Sequence, residues 1–125
     1  MTNPIEAPKS IYYQAFVRDN HRCVYCDKDI LESFDSFAAS HLDHLKPKRT
    51  NGPDNDINNR VTACAVCNSI KGGYDPHEEG LVTAETFAKA VAAARRYIWD
   101  RRDGAAPCSY HRDYHYWLGL VGRDA

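Results

Sequence analysis

The sequence predicts an α+β fold, a small strand-and-helix core stapled by a four-cysteine zinc site and carrying flanking helices. Three observations predict it. Four of the five cysteines form two Cys-x-x-Cys pairs, Cys23-Val24-Tyr25-Cys26 and Cys64-Ala65-Val66-Cys67. A short strand pattern precedes the second pair, and a short helix pattern contains it. A longer amphipathic helix then follows. The 125 residues suit one domain, and a chain of this size buries roughly two-thirds of its unfolded surface. A hydrophobic content of 43% is too high for a disordered chain. No apolar run approaches the roughly 18 residues of a membrane span.

The opening MTNPIEAPKS lacks the charged and apolar pattern of an export signal, so a cytoplasmic, reducing setting is expected. Disulfides are rare there. A redox dithiol or four buried thiols would use the same cysteines. Paired turns in one small chain point instead to zinc. Each Cys-x-x-Cys turn aims two thiolates at one centre about 2.3 Å away, and the second turn completes the tetrahedron. Four thiolates leave no position for water, so the zinc on Cys23, Cys26, Cys64 and Cys67 is structural. The 37 residues between the pairs must fold into something of their own.

The elements follow in order. SIYYQAFVRDN, residues 10–20, predicts a short helix capped by Ser10, with its apolar residues on the zinc unit. Phe37 to Pro47 reads as a short strand carrying Asp43 and His44. Residues 49–58 are turn-rich and form a loop. From Ala63 the chain predicts a short helix stopped by Gly72-Gly73. After a link from Tyr74 to Gly80, Thr83 caps a longer helix with Glu85 in its first turn. Phe87, Val91, Ala94 and Ile98 make its apolar stripe, and Lys89 and Arg96 lie opposite. Arg101 and Arg102 suit the last turn, and Gly104 ends it. The aromatic tail from Cys108 is expected to pack on that stripe. Its Cys108, His111 and His115 also have the spacing of a partial second metal site, and its rings could stack on nucleobases.

The residues RDNHRCVYC at 18–26, LDHLKP at 42–47, Asn59-Arg60-Val61-Thr62-Ala63-Cys64 and CAVCNSIKG at 64–72 together resemble an HNH endonuclease of the ββα-metal type with a four-cysteine zinc site. The motifs occur in the family's order. The resemblance covers roughly residues 10–75. It divides the chain into an arm over 1–9, a nuclease core over 10–75, and a helical extension over 76–125 packed on the core. Two positions depart from the family pattern. Asn51-Gly52-Pro53 stands where a Gly-Gly is common, and Asn59-Arg60 where Asn-Leu is common.

The resemblance implies a mechanism. His44 takes a proton from water as general base. Asp43 and Asn68 offer oxygen ligands to a catalytic Mg²⁺ or Mn²⁺. Asn59 holds the loop and orients the histidine, its amide bridging two backbone groups. Neighbours on a regular strand point to opposite faces, so Asp43 and His44 reach one phosphate only with help from a twist and the adjacent helix. His41, Lys46, Lys48, Arg49 and Lys71 are candidate nucleic-acid contacts. The expected substrate is DNA. The expected setting is a nicking or weakly specific enzyme that acts alone, as a homodimer, or with a larger protein.

Two rivals stand beside this reading. One is a zinc-held nucleic-acid-binding module without catalysis. The other is an RNA-directed nuclease on the same scaffold. The formal charge of −1 does not argue against a nucleic acid, because it is unevenly spread. His44 to Lys71 carries five basic residues against Asp54 and Asp56, a net +3. Phe87 to Arg102 carries five against Asp100, a net +4. Acid concentrates from Asp27 to Asp35, with a net −3.

Overall fold

The computed structural model describes residues 10–77, 80–104 and 110–123. The elements in chain order are α1 (Ile11–Arg18), α2 (Phe34–Ala38), β1 (His41–His44), β2 (Arg60–Ala63), α3 (Ala65–Lys71), α4 (Ala84–Arg102) and α5 (Tyr110–Leu120). Short 3₁₀ turns at Ile30–Glu32, Lys48–Thr50 and Ile57–Asn59 connect them. The strands pair antiparallel, His41 opposite Ala63 and His44 opposite Arg60. A two-stranded ribbon is marginal alone and needs a packing partner. Here α1 packs on β2 and α3 on β1, with α4 against α3, which gives the α+β class its ββα centre.

Cysteine placement drives the fold. Cys23 donates its backbone N–H to Lys28 O, and Asp27 N–H reaches back to Cys23 O, closing the first turn. Asp27 takes the left-handed conformation that such a turn needs. Val24 N–H bonds Thr62 O at 2.9 Å, tying that turn to β2. Cys64 then caps α3, its sulfur accepting from Cys67 N–H. One core contains Cys23, Tyr25, Ile30, Leu45, Val61, Ala63, Cys64, Cys67 and Ile70, together with Ala90, Ala94 and Ile98 of α4.

The helix predictions mostly hold. Thr83 caps α4 in a reciprocal pair with Thr86. The stripe of α4 centres on Ala90, Ala94 and Ile98, with Phe87 and Val91 half-buried at its edge. Tyr97 of α4 stacks on Tyr74 with centroids 4.0 Å apart. Gly104 N–H bonds Trp99 O as α4 ends.

Two expectations fail. Ser10 occupies the N-cap position of α1 but makes no side-chain cap bond. The anchor of α1 lies at its other end. Arg18 donates to Ile57 O and Arg60 O at 2.7 Å each, and Asp19 accepts from Thr62 N–H. The aromatic tail does not bury on the α4 stripe, because the inner face of that stripe is already filled by the zinc unit. Helix α5 has no buried residue, and Tyr110, Tyr114, Tyr116 and Trp117 are exposed. The arm over 1–9 and Cys108 lie outside the described residues.

Candidate metal and active centres

The four cysteines converge. Their sulfurs all lie within 4.8 Å of one another, and Cys26 Sγ to Cys64 Sγ is 3.7 Å. A tetrahedral centre with metal–sulfur bonds of about 2.3 Å requires sulfur separations of about 3.8 Å, so the set fits a zinc-type ion. The thiols are electrostatically linked. Hydrogen bonding from Cys23 pulls Cys26 well down and Cys64 to about 6, leaving Cys23 and Cys67 pushed up as donors. Arg102, in the last turn of α4, places a guanidinium nitrogen 3.5 Å from Cys67 Sγ. That cation offsets thiolate charge and fastens α4 to the cluster.

A second constellation lies along β1. Asp43 turns inward, its side chain 12% exposed. Tyr25 O–H donates to Asp43 Oδ2 at 2.5 Å, and Lys71 Nζ sits 3.5 Å from the same oxygen. Burial, then Asp43, pushes the Tyr25 hydroxyl well above its ordinary value. Burial pulls the Lys71 ammonium down, with Asp43 opposing. Lys71 also donates to His44 O at 3.0 Å. Lysine 71 therefore clamps α3 onto the strand at both residues. Asn68 lies three positions before Lys71, hence on the same helix face, and is half-buried. The His44 ring makes its polar contact elsewhere, with Nε2 2.7 Å from Asp54 Oδ1. Asp43 and His44 thus have separate partners, as strand alternation requires.

Asn59 is fully buried directly before β2. Its Oδ1 accepts from Lys46 N–H at 2.6 Å, and its Nδ2 donates to Lys46 O and Pro53 O at 3.1 Å each. The amide closes the loop between the strands at three points. Gly52 lies so close to Lys46 that a Cβ there would fall 1.7 Å from Lys46 O, so only glycine fits. Arg60 donates to Asp54 O at 2.7 Å and Leu42 O at 3.0 Å. At both departures from the family pattern, a residue of this chain therefore holds the loop.

The remaining candidate contacts divide. Lys48 and Arg49 are exposed, Arg49 also donating to Gly73 O at 2.7 Å. His41 is exposed on the strand face shared with Asp43. Lys46 and Lys71 are buried. Lys46 pairs with Asp75 at 2.5 Å, and Asp75 in turn lies 3.3 Å from the buried His77. Burial pushes the Asp75 carboxyl up, but bonds from Lys46 and the His77 N–H outweigh it and hold it below its ordinary value. In this conformation neither lysine offers surface to phosphate. Arg95 is half-buried and already bonded to Val24 O and Asp27. The positive strips counted from sequence are partly consumed inside the molecule.

Tyr25, Asp54, Arg60 and Asp75 are site neighbours the sequence reading passed over. Tyr25 could have been found as the large residue between two ligands, and Asp54 as the acid in the turn. Near the tail, His111 Nε2 lies 2.8 Å from Asp103 Oδ1, and its ring centroid lies 5.9 Å from that of His115. Among the described residues no second ligand cluster forms.

The family model for HNH endonuclease matches residues 23–73, a span from the first cysteine to the glycines after α3. Residues 23–73 are similar to an HNH domain. Within that span lie both cysteine pairs, both strands, Asp43, His44, Asn59 and Asn68. A relative, the CRISPR-associated endonuclease Cas9 of Corynebacterium diphtheriae, is 37% identical over 60 residues. That match covers 48% of this chain and 5% of the relative. No solved structure gives a significant match. Among the described residues, no helix is long and apolar enough to cross a membrane.

Proposed function

We propose that this chain is a metal-dependent endonuclease that hydrolyses DNA phosphodiester bonds, with its fold stapled by a structural zinc ion. The observation that carries the reading is the β1–α3 junction inside residues 23–73. There Lys71 holds the helix face of Asn68 against a strand carrying Asp43 and His44. Two oxygen donors, a carboxylate and an amide, suit a hard divalent cation that keeps several waters. Mg²⁺ or Mn²⁺ held at Asp43 and Asn68 would supply Lewis-acid stabilisation of the phosphate and the leaving oxygen.

The chain's own residues do the rest. The scissile phosphate lies across the end of β1, with Asp43 and Asn68 on one side and His44 on the other. His44 accepts a proton from a water molecule. The water oxygen bonds to phosphorus, and the bond to the leaving oxygen breaks. That oxygen is protonated from solvent. Asn59 keeps the loop in place while this occurs. Lys48, Arg49 and His41 are exposed and supply the phosphate contacts.

Supercoiled plasmid, incubated with zinc-loaded protein and Mg²⁺ or Mn²⁺, tests the reading. Nicked or linear product is expected, with His44→Ala slower by about a thousandfold. A matched RNA substrate should be cut more slowly than DNA. No cleavage of either by well-folded protein would refute the nuclease, and preferred RNA cleavage would refute the substrate assignment. Tight DNA binding without any cutting would instead support a binding module.

A further inference from the structure

We propose that Asp54 is a positioning residue for His44, fixing the imidazole as its Nε2–H tautomer so that Nδ1 is the atom that accepts the proton from water. This rests on the reading of His44 as general base and adds the residue that aims it. The contact is 2.7 Å between His44 Nε2 and Asp54 Oδ1. An ionised carboxylate can only accept, so the nitrogen facing it must carry the hydrogen. The hydrogen bond from His44 is the main reason the Asp54 carboxyl lies below its ordinary value, and it is ionised at neutral pH. A neutral imidazole has one N–H, which leaves the lone pair on Nδ1.

The placement of Asp54 is built in. Arg60 holds its carbonyl at 2.7 Å, and Asn59 holds the carbonyl of Pro53 at 3.1 Å. Gly52 is pressed against Lys46, which fixes the loop one step earlier. Three anchors converge on residues 52–54, while the carboxylate itself remains 51% exposed. An exposed ion pair contributes little to stability, so the contact between Asp54 and His44 serves the geometry of the ring more than the fold. Lys48 Nζ is also near Asp54, at the longer distance of 3.5 Å.

The test uses zinc-loaded, full-length protein as wild type, Asp54→Ala, Asp54→Glu and His44→Ala. Plasmid nicking gives kcat and KM, and long-range ¹H–¹⁵N spectra read the ring tautomer. Asp54→Ala should lower kcat about tenfold while KM changes less than about twofold. Its His44 ring should shift toward the Nδ1–H form, with an unchanged melting temperature. Asp54→Glu, which keeps an acceptor-only carboxylate, should recover part of the loss and the Nε2–H signal. An Asp54→Ala enzyme as fast as wild type or faster would overturn the proposal, as would an unaltered tautomer. If His44→Ala cuts at the wild-type rate, the base assignment itself fails, and the ring spectra separate that result from a failure of Asp54 alone.

Discussion

Asn59 and Trp117 mark two regions that treat polar and apolar groups in opposite ways. In the cysteine-stapled core, a polar amide is completely buried and bonded at three points. In α5, a tryptophan is 59% exposed and no residue of the helix is buried. The core is held by long-range contacts. Cysteines 38 positions apart meet, Lys71 reaches β1, and Arg18 reaches the turn before β2. Helix α5 is held chiefly by its own backbone and by contacts near the end of α4. Small cores cannot afford loose polar groups, whereas a peripheral helix can leave rings in solvent.

The sharpest way to break the contrast is at the metal ligands. Cys23→Ser should abolish the folded state, since a structural zinc site contributes on the order of 10 kcal/mol. Circular dichroism with and without a chelator would check it, and an unchanged melting curve would contradict the site. The next effect is smaller. Asn59→Ala should cost about 3 kcal/mol in urea unfolding, because Lys46 N–H and two carbonyls lose their partner. It should also slow cleavage, as the loop carrying Asp54 relaxes. A stability change under about 0.5 kcal/mol would show the clamp to be dispensable. Least of all, Trp117→Ala should change stability by under about 0.5 kcal/mol. A large loss there would mean that α5 is packed after all.

The same contrast explains what the sequence revealed. The cysteine pairs, α3 and α4 are legible because each carries a local signal: ligand spacing, a glycine stop and the Thr83 cap. The strand expected over 37–47 is only partly legible, since Phe37 and Ala38 close α2 and only His41–His44 pair as β1. Asn59 is visible only through its motif, yet its bridging geometry follows from amide chemistry. Lys46 and Lys71 read as solvent-facing cations, because nothing local announces the half-buried Asp75 and Asp43 as their partners. Arg18 and Asp19 are equally silent, since their contacts lie about 40 residues away. The aromatic tail misleads in the other direction. Hydrophobic residues at helical spacing suggest burial, but burial needs a vacant face, and the zinc unit already occupies that of α4.

The proposed function requires two separate metal centres in one small fold, four thiolates for structure and Asp43 with Asn68 for chemistry. The most direct test is a Mn²⁺ titration of the zinc-loaded protein, followed by electron paramagnetic resonance. A single bound Mn²⁺ beyond the zinc is expected. Asp43→Ala should weaken that binding at least about tenfold without releasing zinc. Absence of a second ion, or Mn²⁺ affinity unchanged in Asp43→Ala, would contradict it.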